Sequence, residues 1–191
     1  MRKLTSMKNI AIIASVAALM GSGALLQVAD NADGTAKTEN RGQLSRKDYK
    51  FAREAAQGNL LEVKLGELAK QKATSPTVQQ FGDQMIKDHT KANEELKKIA
   101  AGKGATLPDQ LTRREENELE RLQKLSGKDF DKTYADHMVK EHQKDIKEFQ
   151  DAAKNVEDPD VKKFAQDTLP TLEHHEQMAQ QMESSVKQLT P

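Results

Sequence analysis

The chain has 191 residues, enough for one domain with a full core and short for two. Lys plus Arg and Asp plus Glu number 30 each, so there is no global basic field to hold nucleic acid. With no Cys, disulfides, thiolate metal sites, cysteine nucleophiles and a lipid-modified N-terminal Cys are all excluded.

The first segment differs in kind from the rest. Arg2, Lys3 and Lys8 form a positive start, and Ile10 to Ala29 is a 20-residue uncharged run. Small residues close it, at Ser22-Gly23-Ala24 and Gln27-Val28-Ala29. This layout predicts a signal peptide over residues 1–29 that is cleaved on export. An uncleaved anchor needs a similar length, but Gly21, Ser22, Gly23 and Gln27 interrupt the apolar run. Cleavage removes three positive charges and no negative ones, leaving a mature net charge of −3 and no stable membrane span. Residues 30–44 are polar, without apolar periodicity, and read as a flexible linker.

From residue 45 to 189 the pattern is helical, and an aromatic content of only 4% favours helices over sheets. Ser45-x-x-Asp48 opens a first long helix that runs to about Ala73. Ser75-Pro76 opens a second, ending near Gly102. Residues 102–108 form a loop, and Thr112-x-x-Glu115 begins a short helix ending near Leu125. Ser126-x-x-Asp129 opens the third long helix, to about Val156, and Asp158-Pro159 opens the fourth, to about Leu189. Pro170 lies inside that last pattern and predicts a kink. Each long helix carries an apolar stripe at spacings of three and four, with charges on the other faces. The segments Pro76–Phe81 and Pro159–Phe164 repeat one pattern, Pro-x-Val-x-x-Phe. Two helical hairpins joined by a long connection follow from this. The expected fold class is all-α, a ferritin-like four-helix bundle with a short extra helix between the second and third long helices. The connection either runs the length of the bundle or folds over it as a lid.

Polar residues interrupt each stripe: Glu62 in the first helix, His89 beside Asp88 in the second, His142 beside Glu141 in the third, and His175 beside His174 in the fourth. Glu62 lies 13 residues before Ser75, and His89 13 after Pro76. His142 lies 16 residues before Asp158, and His175 16 after Pro159. Positions equidistant from a hairpin turn share a height, so the four belong to one layer roughly 20–25 Å from the turns. Glu62, His89, His142 and His175, with Asp88 and Glu141 at the edge, would make a nitrogen-and-oxygen site for Zn, Cu or Fe. His137 is assigned to the surface and His174 to a neighbouring, non-ligating position.

The run Phe51…Ala55-Ala56…Glu62-Val63…Leu65-Gly66…Leu68-Ala69, then Asp88-His89-Thr90, Leu125-Ser126-Gly127…Phe130-Asp131…Tyr134, His142 and Leu169-Pro170-Thr171-Leu172…His175 resembles one bacterial family. It is the domain of unknown function 4142, labelled outer membrane proteins and placed among ferritin-like folds. The resemblance covers about residues 45–189 and implies a secreted four-helix domain, periplasmic or associated with the outer membrane. It carries no established activity. The Glu-x-x-His pairs of di-iron ferritins are missing, because Ile86 stands three before His89 and Leu172 three before His175. Three readings follow: an envelope metal-binding protein, a metal-free structural or interaction bundle, and a redox enzyme with a degenerate di-metal site. No nucleophile–base constellation or Gly-rich phosphate loop identifies a reaction.

Overall fold

Local chemistry starts each helix where the sequence places it. In the computed structural model, residues 43–188 are described. They form α1 (Arg46–Lys72), α2 (Pro76–Gly102), α3 (Arg113–Gln123), α4 (Gly127–Asn155) and α5 (Pro159–Gln188), with no strand among the described residues. The expected signal peptide, most of the linker and Leu189 lie outside the described residues. The Ser45 hydroxyl accepts from the Asp48 amide at 3.1 Å, and Thr112 and Glu115 close a reciprocal capping box on α3. Asp158 Oδ1 accepts from the Val161 amide at 3.1 Å, capping α5. Ser75 and Ser126 make no side-chain cap; the Ser75 hydroxyl bonds to Thr77 Oγ1 at 2.7 Å instead. The α5 helix continues through the exposed Pro170.

Two buried carboxylates set the order of the helices. Asp131, near the start of α4, accepts from the Thr74 and Ser75 amides at 3.1 and 2.9 Å in the α1–α2 turn. Asp48, in the first turn of α1, accepts from the Glu157 and Asp158 amides, both at 3.0 Å, in the α4–α5 turn. Each hairpin therefore clamps the turn of the other. It follows that α4 begins where α1 ends, and that α1 and α5 point one way while α2 and α4 point the other. The connection must cross the full bundle. Its first part is held by the Tyr49 hydroxyl donating to the Thr106 carbonyl at 3.0 Å, and its far end by Lys72 Nζ donating to the Leu125 carbonyl at 3.1 Å. Of the two routes open from the sequence, the crossover is the one taken, with α3 lying along α1 and α4.

The α1 and α2 backbones touch at Gly66 and Gly82. A Cβ on Gly66 would sit 2.7 Å from the Gly82 carbonyl oxygen, so only glycine allows this approach. The apolar core falls into two clusters. One contains Leu65, Phe81, Met85, Phe130, Tyr134 and Met182, and the other Ala52, Leu96, Phe149, Val161, Phe164 and Leu172. Between them along all four long helices lie buried polar residues: Asn59 and Glu62 on α1, His89 and Asn93 on α2, His142 on α4 and His175 on α5. His137 departs from its expected surface position. It is 8% exposed, because the crossover helix α3 covers the α4 face on which it lies.

Candidate metal centre

Three helices deliver the imidazoles. Because α2, α4 and α5 each bury one stripe, a His on that stripe points inward whether or not it has a partner there. His89, His142 and His175 are 4%, 0% and 0% exposed. Their ring centroids are 5.9, 5.4 and 5.4 Å apart for the pairs 89–142, 89–175 and 142–175. One nitrogen from each ring lies within 4.8 Å of one from each of the others.

Each ring has one nitrogen tied and one without a partner. His89 Nδ1 is 2.9 Å from Asn59 Oδ1, His142 Nδ1 is 2.9 Å from the Met138 carbonyl, and His175 Nε2 is 2.9 Å from Asp88 Oδ2. All three partners are oxygen acceptors, so these nitrogens carry the hydrogen and donate it. The lone pair is left on His89 Nε2, His142 Nε2 and His175 Nδ1. Those three atoms are buried with no hydrogen-bond partner among the described residues. Unpaired buried nitrogens are costly in a packed core, and fixing one ring nitrogen to an oxygen so that the other is free is how proteins orient imidazoles toward metals. Tetrahedral Zn–N bonds of about 2.0 Å separate the ligand nitrogens by about 3.3 Å, so small inward ring movements would complete the triangle.

Electrostatics keeps the rings in their metal-competent, neutral form. Burial, then the neighbouring His142 and His175, holds His89 well below the ordinary imidazole range. Burial pulls His142 down to about 4 against the opposing Met138 carbonyl. Burial also lowers His175, although Asp88 works the other way. Asp88 itself stays below the usual carboxylate range: partial burial opposes this, but hydrogen bonds from Gln84 and His175 outweigh it.

The other residues singled out in the sequence take different places. Asp88 is the hydrogen-bond partner of His175 through the nitrogen opposite the free one. Glu62 is 2% exposed and lines a cleft of about 520 Å³ together with His89, Glu118, Glu141 and Asp145. Burial first, then Asp145 and Glu141, raises its carboxyl well above the usual range. Glu141 stands apart from the imidazole triangle and groups with Glu118 and His137, whose candidate ligand atoms lie within 4.8 Å of one another. His174 is exposed.

The family described as domain of unknown function (DUF4142) matches residues 33–182. The chain belongs to this family. No curated protein matches it. Among solved structures, this DUF4142 bundle is similar to the crystal structure of a DUF305 fragment from Deinococcus radiodurans, with a TM-score of 0.65 and 12% identity, covering 76% of this chain and 99% of that one. That likeness is one of fold. No helix among the described residues is long and apolar enough to cross a membrane.

The sequence singled out neither Asn59 nor Glu118, and His137 was expected at the surface. Asn59 had a signal: a poor helix former in mid-helix, three residues before Glu62. Glu118 and His137 had none, since their meeting depends on where the crossover helix lands.

Proposed function

We propose that this chain is an exported, ferritin-like bundle of the cell envelope that holds one metal ion on His89, His142 and His175. One observation carries the reading: three buried imidazoles from three helices bring one ring nitrogen each within 4.8 Å of the others, and each ring keeps one nitrogen without a partner. Three neutral nitrogen donors without thiolate suit Zn or Cu better than Fe. Asn59, the Met138 carbonyl and Asp88 orient the rings, and Glu62 lines the same cleft as His89. A bound ion would supply Lewis acidity or, for Cu, electron transfer; the chain's own part is to hold it and exclude water. The ferritin-like reading is supported by the lengthwise crossover between two hairpins. Export is supported by the basic start and apolar run of residues 1–29, and by a family match that begins only at residue 33.

The test is equilibrium dialysis of the purified bundle against Zn²⁺ or Cu²⁺. The wild type takes up metal, and His89→Ala and His175→Ala each take up one equivalent less while remaining helical. Because burial holds all three folded rings below the ordinary imidazole range, proton competition sets in below pH 6.5. Uptake unchanged by both substitutions would refute the centre, and no uptake of either ion would leave the metal-free structural bundle. N-terminal sequencing of the mature protein that returned Met1 would refute export.

A further inference from the structure

We propose that Glu118, His137 and Glu141 form a second divalent-cation site where the crossover helix α3 lies against α4. It shares no residue with the imidazole centre and does not depend on it. His137 and Glu141 are four apart on α4 and so share a face, while Glu118 comes from α3. One candidate ligand atom from each lies within 4.8 Å of the others. His137 is 8% exposed, with Nδ1 3.3 Å from Glu118 Oε1 and Nε2 buried without a partner among the described residues. A polar ring is thus committed to a covered position with half its hydrogen-bonding capacity unused.

The surroundings carry excess negative charge. Glu118 and Glu141 line the cleft beside Glu62 and Asp145. Positive groups nearby include Arg121, 3.7 Å from Glu118, and Lys144, 3.1 Å from Glu141, with side chains 64% and 47% exposed, along with Lys140, which acts on His137, and Arg114 in the cleft lining. Such half-exposed pairs are weak and readily give way to a doubly charged ion. Burial, then the charge of Glu141 and Glu148, outweighs Lys144 and lifts the Asp145 carboxyl to about 7. One imidazole and two carboxylates form a harder donor set than three imidazoles, suited to Mn²⁺ as well as Zn²⁺. The bound ion has a mechanical effect too. Leu122 is the single buried residue of α3, so a cation joining Glu118 to His137 and Glu141 would fasten that helix further to α4.

The experiment is a Mn²⁺ titration of the folded bundle, followed by the electron paramagnetic resonance of free Mn²⁺, with hydrogen exchange of residues 113–123 read in parallel. Wild type and His89→Ala bind one Mn²⁺, whereas Glu118→Gln and Glu141→Gln bind it at least tenfold more weakly. Mn²⁺ slows exchange along α3 in the wild type and leaves Glu118→Gln unaffected. Equal helicity of the two Gln variants by circular dichroism shows that they fold. Mn²⁺ uptake that is absent, or undiminished in both Gln variants, overturns the second site. Uptake that survives His89→Ala but falls in Glu118→Gln upholds it even where the imidazole centre takes no metal.

Discussion

The two apolar half-cores and the polar layer between them are carried by the same four helices, often one turn apart, yet they are built to different ends. Phe149 and Phe164 lie with ring centroids 6.0 Å apart in an apolar cluster with Val161 and Leu172. One or two turns away, His142, His89 and His175 are equally buried but leave a nitrogen each unpaired. An apolar substitution in the layer would pack without that penalty. A chain that keeps unpaired polar atoms between its two apolar clusters gives up stability there, which is the pattern the proposed metal centre would leave.

The comparison is sharpened most strongly by a substitution on the apolar side. Phe164→Ala is expected to cost about 3–5 kcal/mol of unfolding free energy, through a cavity among Phe149, Val161 and Leu172. Metal affinity of the molecules that remain folded should be unchanged. Denaturant melts paired with metal titration check both, and a parallel loss of affinity would break the separation between core and layer.

On the polar side, Asp88→Asn is expected to reverse the pattern. Affinity for Zn²⁺ should fall about 10–100-fold, because His175 Nε2 loses the carboxylate that orients its ring, while metal-free stability changes little. A competition assay with a chelating dye measures the affinity.

The pH dependence of the metal-free protein also separates the two regions. His89, His142, His175 and His137 are all held below 6.5 by burial. The unfolded chain takes up protons that the folded rings refuse, so stability should be fully present above pH 6.5 and drain away as pH falls toward about 4. Glu62 and Asp145 act in the opposite sense: their carboxyls are raised in the fold, so they reduce stability as pH rises above their ordinary values of 4.5 and 3.8. With four imidazoles against two carboxyls, stability should rise between pH 4.5 and 6.5, by about 1.4 kcal/mol per pH unit for each net proton. Thermal melts across that range test this, and a flat or falling profile would contradict the burial of neutral imidazoles.

The smallest effect makes the finest test. His142→Leu removes an unpartnered nitrogen and keeps the volume, so the metal-free bundle should gain about 1 kcal/mol while losing metal binding. Loss of stability on this change would show that the ring is structurally satisfied in a way its hydrogen bonds do not reveal.

Much of this was legible in the sequence because the signals were local. Thr112-x-x-Glu115, Ser45-x-x-Asp48 and Asp158-Pro159 mark helix starts by short-range hydrogen bonds and by the proline ring, and α3, α1 and α5 begin there. The common height of His89, His142 and His175 followed from counting residues to the turns, which works because helices have a fixed rise. The residues that escaped are those whose role is settled across the bundle. Asp48 reads as part of a cap, yet its carboxylate serves a turn 109 residues away. Asp131 reads as one charge among many, and it holds the α1–α2 turn. Glu141, adjacent to His142, was placed with the imidazoles, although neighbouring residues on a helix point about 100° apart and Glu141 turns toward His137 and Glu118.

The central claim is that the three imidazoles act together on one ion, and X-ray absorption spectroscopy of the bundle loaded with one equivalent of Cu²⁺ addresses it most directly. The account predicts a first shell containing three imidazole nitrogens at about 2.0 Å, with their outer-ring scattering, reduced in number by His142→Ala. A shell with one imidazole or none, unchanged by that substitution, would contradict it.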